Sequence, residues 1–170
     1  GPYESDLRGT MPRGHMASCG AGRSTLGIEA NGDIKGCPSL PTADWVGGNV
    51  RDYSLKDIWE KAPALRYTRD RTVESGLWGY CRTCYYADTC RSGCSWTSHV
   101  LFGKPGNNPY CHHRALELLR EGKRERIVKV SEASGQPFDH GKFDIVLEEW
   151  PADAKVRAEE IVKSGDGWLE

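Results

Sequence analysis

Cysteine is the residue type whose number and spacing could support chemistry in this chain of 170 residues. There are seven, at Cys19, Cys37, Cys81, Cys84, Cys90, Cys94 and Cys111. They follow the pattern C-x12-G-x4-C, then C-x2-C-x5-C-x3-C, then one distant cysteine. The short turn of a C-x2-C pair lets two thiolates converge on one metal. The odd count and the lack of an apolar secretion signal favour metal or cluster ligation over disulfides.

The number of thiols also bears on the kind of metal site. Seven ligands exceed one four-ligand site and fall one short of two. A structural zinc site is closed by four ligands, whereas an iron–sulfur cluster can leave one iron open, and thiolates without a spaced histidine pair favour iron–sulfur. In the zinc alternative, one site would take Cys81, Cys84, Cys90 and Cys94, and another would take Cys111 with His112 or His113.

The first two cysteines flank a predicted hairpin. The Asn31-Gly32 pair lies between two isoleucines and is a strong signal for a two-residue type I′ turn. Cys19 would then lie just before the hairpin and Cys37 at its exit. Such a hairpin brings distant thiols together without a large core.

Helices are predicted on both sides of the cysteine-rich segment. Ser54 and Asp57 resemble a capping box at the start of a helix, which Pro63 would interrupt or restart. Residues 76–110 have no sustained period, so we expect irregular loops held by metal.

Three further elements are predicted towards the C-terminus. A helix fits residues 109–121, with Asn108 as its N-cap and Gly122 at its C-cap. Residues 143–147 resemble a strand, and residues 151–163 resemble a final helix.

The ordered cysteines, together with Gly32 inside the first pair, resemble the signature of the SPASM domain. This domain is the C-terminal extension of many radical SAM enzymes that mature peptides and proteins. Residues 47–59 also resemble the family segment that follows the second cysteine. The resemblance implies a small α+β fold organised by clusters, with a two-stranded hairpin, irregular cysteine-rich loops and a few short helices.

The resemblance further implies two 4Fe-4S clusters. The first would be bound by Cys19, Cys37 and Cys94, which we call the trio. The second would be bound by Cys81, Cys84, Cys90 and Cys111, which we call the quartet. Some relatives have an eighth cysteine upstream, where this chain has Arg13, Gly14 and His15. The fourth position on the first cluster could thus be taken by substrate, water, a residue outside the chain or His15.

The C-x3-C-x2-C motif of the SAM-cleaving cluster does not occur in the sequence. We therefore expect residues 1–18 to be a linker or the tail of an upstream radical SAM barrel, which would hold S-adenosylmethionine and a third 4Fe-4S cluster. Residues 19–122 would form the two-cluster domain, and residues 123–170 a strand and helix extension. The expected function is electron transfer and substrate engagement in an enzyme that modifies a peptide or protein. The chain alone would be inactive. The alternatives are a non-catalytic zinc-binding interaction module and a stand-alone ferredoxin-like electron carrier.

Composition narrows the partners. A net charge of −1 and a pI near 6.6 provide no basic field for nucleic acid or anionic lipid. No apolar run approaches the roughly 18 residues that span a bilayer, so we expect a cytoplasmic protein. We find no Ser/His/Asp set and assign no catalytic residue.

Aromatic and cationic residues surround the cysteines in sequence. We expect shielding of the clusters, in place of a conventional core, from Trp78, Tyr80, Tyr85, Tyr86 and Trp96. His112 and His113 would be surface residues or hydrogen-bond donors to a cluster. Arg66, Arg69 and Arg71 would form a solvated helix face, or would meet the negative charge of the clusters or of an acidic leader peptide.

Overall fold

The computed structural model describes residues 19–151 and confirms the predicted α+β class. The first sheet has the order β1 (Gly27–Ile28), β2 (Asp33–Lys35) and β3 (Val46–Asn49), with both pairs antiparallel. A short helix, α1 (Thr42–Trp45), leads into β3. The predicted hairpin is therefore present, and a third strand extends it. The glycines of β3 concealed this strand, because glycine is depleted in strands.

The hairpin connection differs from the predicted type I′ turn. Of the Asn31-Gly32 pair, Gly32 alone has a positive φ, of 91°. The connection is longer than two residues, and the Gly32 N–H donates to the Glu29 carbonyl at 2.8 Å. Asn31 instead accepts a hydrogen bond from the Asp33 N–H at 3.1 Å through its side chain. The type I′ prediction is wrong, because that turn needs a positive φ at both residues of the pair and this longer loop has one at Gly32 alone.

Three helices follow the sheet: α2 (Leu55–Lys61), α3 (Pro63–Asp70) and α4 (Val73–Gly76). The predicted cap is confirmed, since Ser54 Oγ accepts from the Asp57 N–H at 3.1 Å. Pro63 occupies the first turn of α3, where its missing N–H costs nothing. The helix restart predicted at this proline is confirmed.

The hydrophobic core is small. It consists of Ile34 from the sheet with Ile58, Ala62 and Leu65 from the helices, and Trp59 packs at its side. Close packing leaves no room for a side chain at Gly47, where a Cβ would overlap the Leu65 side chain. This core fixes α2 and α3 against the first sheet.

The cysteine-rich segment is more regular than predicted. It contains three short helices, α5 (Tyr80–Thr83), α6 (Ala87–Cys90) and α7 (Ser95–Phe102). Between α6 and α7, three consecutive residues, 91–93, have positive φ. The prediction of irregular loops throughout residues 76–110 is wrong, because helices this short give no apolar period in the sequence.

The C-terminal elements also differ in part from prediction. Helix α8 (His112–Arg120) has Cys111, not Asn108, as its N-cap, because Asn108 accepts instead from the Tyr110 N–H. The C-cap residue of α8 is Glu121, and Gly122, predicted at the C-cap, comes one residue later with a φ of 73°. Strand β4 (Lys123–Ser131) pairs with β5 (Lys142–Glu149), which contains the predicted strand. The charged start of β4 hid its strand pattern.

The predictions for residues 1–18, including His15, and for the helix at 151–163 lie outside the described residues. Within residues 19–151, no helix has the length and apolar character needed to cross a membrane. The described part of the chain is thus two small sheets linked by short helices, and it contains all seven cysteines.

Candidate metal centre

All seven cysteines are free thiols. Cys81 is buried, Cys94 is exposed, and the other five are half-buried. Thiolates are the protein ligands of iron–sulfur clusters, so the donor set fits such a cluster. Within residues 19–151, no three or more His, Cys, Asp or Glu side chains form a group that could hold a single metal ion.

The quartet lies around the short helices of the cysteine-rich segment. Cys81 is inside α5, Cys84 follows that helix, and Cys90 ends α6. Cys111 arrives from the far side as the N-cap of α8. The four cysteines therefore all lie in, or directly beside, the ends of short helices.

Electrostatic interactions show that the quartet members are neighbours. Burial raises the pKa of Cys81 to about 11, and the thiols of Cys111 and Cys90 add to the rise. Burial and the Cys111 thiol likewise raise the pKa of Cys84 and of Cys90. Burial and mutual repulsion between thiolates therefore favour the neutral form of Cys81, Cys84 and Cys90 when no metal is bound.

The trio is assembled from three separate segments. The Cys19 thiol accepts hydrogen bonds from both the backbone N–H and the hydroxyl of Ser95, the residue directly after Cys94. Gly36, directly before Cys37, packs on the turn after Cys19, since a Cβ there would lie 3.0 Å from the Gly22 nitrogen. Two neighbouring segments therefore approach the Cys19 turn.

Lys35 fixes the loop that carries Cys37. Its side chain is 0% exposed and pairs with Glu29. Its ammonium donates to the carbonyl oxygens of Pro38 at 3.0 Å and Leu40 at 2.8 Å. A buried ammonium needs hydrogen-bond acceptors, and these two carbonyl oxygens supply them. Because both acceptors lie just beyond Cys37 in the chain, the bonds hold the Cys37 loop against Lys35.

The environment of Cys19 differs from that of the quartet. Burial alone would raise the pKa of its thiol, but the opposing interactions are stronger. Hydrogen bonds from Ser95 and Ala21 and the charge of Arg71 favour the thiolate, so the pKa of Cys19 is lowered. Cys19 therefore loses its proton more readily than an ordinary thiol.

The run of three arginines has three different fates. Arg66 is exposed and pairs with Asp70 at 2.8 Å, as the solvated-face interpretation expects. Arg69 lies over the Trp59 ring. Arg71 is only 3% exposed, so the solvated-face interpretation is wrong for this residue. A buried guanidinium beside Cys19 fits the alternative of charge compensation.

A second buried arginine lies beside the quartet. Arg114, 2% exposed, is on α8 and its charge lowers the pKa of Cys81 and of Cys84, against the larger effect of burial. Its guanidinium pairs with Glu125 of β4 at 2.5 Å and donates to Asn107 at 2.8 Å. Its positive charge is therefore largely balanced by a carboxylate.

Aromatic rings cover one side of the quartet. Tyr86 and His113 meet edge to face with centroids 4.9 Å apart, and Tyr80 lies beyond them. Burial and the negative groups near it raise the pKa of Tyr80 to about 12. Tyr85 is 88% exposed, so the shielding predicted for it is wrong. Its ring meets that of Tyr86 edge to face, with centroids 4.9 Å apart.

The sequence analysis missed three residues of this centre: Ser95, Arg114 and Glu125. Ser95 directly follows a ligand candidate, and Arg114 lies one helical turn after Cys111, so both could have been noticed from spacing. Glu125 could not, because its strand was not predicted.

Comparison with known proteins agrees with this geometry. Residues 19–85 match the model of the SPASM family, described as an iron-sulfur cluster-binding domain. This part of the chain is similar to the SPASM family. The match confirms the predicted resemblance and with it an iron–sulfur role. It includes Cys19, Cys37, Cys81 and Cys84, and the remaining cysteines follow it in sequence.

Whole-sequence relatives are of two kinds. A mycofactocin maturase of Mycobacterium ulcerans is 34% identical over 116 residues, which is 64% of this chain and 30% of the relative. The mycofactocin maturase of Mycobacterium tuberculosis is 32% identical over 61% of this chain and 26% of its own length. An AdoMet-dependent heme synthase of Methanosarcina barkeri is 30% identical over 56% of this chain and 26% of its own length. The chain thus spans less than a third of the curated relatives it matches.

Proposed function

We propose that this chain binds two 4Fe-4S clusters and serves as the auxiliary part of a radical SAM enzyme that modifies a peptide or protein. The observation that supports the proposal is the presence of seven free thiols, four of which interact electrostatically, in a chain that matches the SPASM family. The trio would bind one cluster and the quartet the other. The names of the relatives, mycofactocin maturase and AdoMet-dependent heme synthase, support the enzymatic context.

The protein residues would divide the work as follows. The trio and quartet would bind iron through thiolates. Because the pKa of the quartet thiols is raised, iron binding would have to drive the release of their protons. The aromatic cover at Tyr86 and His113 would limit the access of water to the quartet. When bound, the clusters would supply one-electron transfer, and the open position of the trio would allow contact with substrate.

Anaerobic reconstitution tests the cluster content. We expect about eight irons and about eight sulfides per chain, from two 4Fe-4S clusters with broad visible absorption. A folded, colourless chain with stoichiometric zinc and no sulfide would contradict the proposal and favour the zinc-binding module.

The enzymatic part is tested on the full-length gene product. A radical SAM barrel upstream would bring a C-x3-C-x2-C triple and a third cluster, which adds about four irons to the total. S-adenosylmethionine should then be cleaved by the full-length protein and not by residues 1–170 alone. Efficient electron transfer by this chain without any barrel-bearing partner would favour the ferredoxin-like alternative.

A further inference from the structure

Arg71 is a buried cation that forms no salt bridge with a carboxylate among the described residues. It lies at the end of α3 and is 3% exposed. Its guanidinium donates to Ser95 Oγ at 3.1 Å and to the Gly93 carbonyl at 3.5 Å, and it lies 5.3 Å from the Tyr67 ring centroid. No salt bridge within residues 19–151 includes it, and its Nε has no hydrogen-bond partner there.

Such a group needs an explanation. A guanidinium stays charged in proteins, and burying a charge without a counter-charge is costly. The neighbouring group that can become an anion is the Cys19 sulfur, with which Arg71 interacts favourably. A thiolate bound to iron would supply that negative charge permanently.

Ser95 connects the cation to the sulfur. Its side chain is fully buried, at 1% exposure, and its oxygen accepts from Arg71. Its hydroxyl hydrogen is then free to donate to the Cys19 sulfur, and this hydrogen bond is present. Because hydrogen bonds in series polarise one another, the guanidinium strengthens the donation to sulfur.

We propose that Arg71, acting through Ser95, balances the negative charge of the trio's cluster and so raises its reduction potential relative to the quartet's cluster. This inference rests on the proposed function. Reduction adds one negative charge to a cluster, and a nearby cation and a hydrogen bond to sulfur both favour the reduced form. The quartet has a cation too, but Glu125 neutralises Arg114 there. Arg71 is thus a positioning residue that tunes the cluster without ligating it.

The test is an anaerobic redox titration of reconstituted protein, followed by electron paramagnetic resonance. Arg71→Met should lower the one-electron reduction constant of the trio's cluster about tenfold, which is about 59 mV. The quartet's cluster should keep its potential. Arg71→Lys should retain most of the wild-type value, and Arg66→Met, which removes an exposed arginine of the same helix, should change neither cluster.

Signals are assigned with Cys94→Ala and Cys90→Ala, which should each remove one cluster. Equal shifts of both clusters in Arg71→Met, or no shift at the trio's cluster, would overturn the inference. If Arg71→Met does not fold, Ser95→Ala decides: a smaller fall confined to the trio's cluster supports the inference, and an unchanged potential refutes it. Absence of sulfide from the wild-type chain is a different result, because it refutes the proposed function itself.

Discussion

The trio and the quartet, each proposed to bind a cluster, come from different kinds of structure. The trio joins a turn before the first sheet, a loop after β2 and the start of α7. The quartet comes from residues 81–111 alone, where short helices turn the chain back on itself. One set therefore depends on long-range packing and the other on local geometry.

Their electrostatics differ in the same way. In the quartet, burial and mutual repulsion raise the pKa of three thiols. In the trio, burial would raise the pKa of Cys19, but hydrogen bonds from Ser95 and Ala21, together with the charge of Arg71, lower it. The difference suggests a test of the proposal: metal loading of the quartet would require proton release from thiols with a raised pKa, whereas Cys19 would lose its proton more readily than an ordinary thiol.

The largest expected effect separates the two ligand sets. Cys94→Ala should remove about four of eight irons and leave the quartet's cluster, and Cys90→Ala should do the converse. The reason is that each thiol belongs to one set only. Iron and sulfide analysis with electron paramagnetic resonance measures the outcome.

The control for this pair is Thr89→Ala, which changes an exposed residue directly before Cys90 and should retain all iron. Equal loss of iron from both cysteine variants would mean that the two sets are not independently ligated. Far-UV circular dichroism distinguishes that result from unfolding of the whole chain.

A second prediction tests the dependence of the trio on packing. Gly22 has a φ of 64°, and a Cβ there would overlap the Leu65 carbonyl. Gly22→Ala should therefore destabilise the chain by about 3–5 kcal/mol and reduce the trio's iron first, because strain and overlap add. Chemical denaturation and iron analysis after partial unfolding measure both effects.

Gly103 provides the matched control. Its φ is 70°, but a Cβ there meets nothing within 4 Å. Gly103→Ala should cost only the strain of a left-handed residue, about 1–2 kcal/mol, and should leave the trio intact. If the two variants behaved alike, the close approach of the Cys19 turn to α3 would not matter for the trio.

The sequence predicted the local parts of this fold well. The hairpin, the Ser54 cap and the restart at Pro63 were identified because each depends on residues within a few positions. Strand β4 was missed because its opening charges pair across the hairpin, as Arg124 does with Glu148 at 2.7 Å. A partner 24 residues away leaves no periodic signal in the strand itself.

The site was predictable to the same extent. Cysteine spacing indicated an iron–sulfur domain, which is confirmed, while the division into trio and quartet stays a prediction. The burial of Arg71 could not be read from an arginine-rich helix, since Gly76 permits it by packing directly on the Arg71 side chain. Tertiary contacts of this kind bury Arg71, whereas Arg66 is exposed and Arg69 is half-buried.

A third prediction concerns a variant that should make the charge balance of the quartet resemble that of the trio. Glu125→Gln should leave Arg114 without its counter-charge, raise the reduction potential of the quartet's cluster and destabilise the chain by about 1–3 kcal/mol. Glu148→Gln on the partner strand is the control and should change stability less than Glu125→Gln does, because its ion pairs are more exposed. A quartet potential that did not rise would show that Glu125 is not balancing Arg114.

The smallest expected effect is the pH dependence of thiol alkylation after a chelator has removed the metal. The measurement is made at pH values where far-UV circular dichroism shows that the fold is retained. The thiolate is the reactive form, so the lowered pKa of Cys19 means that its rate levels off below the ordinary thiol pKa of 9.0. The pKa of Cys81 is about 11, so its rate should still rise tenfold per pH unit at pH 10. Mass spectrometry of iodoacetamide-labelled peptides gives both profiles, and their shapes are compared because burial slows Cys81 at every pH. Arg71→Met should move the Cys19 profile to higher pH and leave that of Cys81 unchanged. Parallel profiles in the wild-type chain would remove the electrostatic contrast between the two sets.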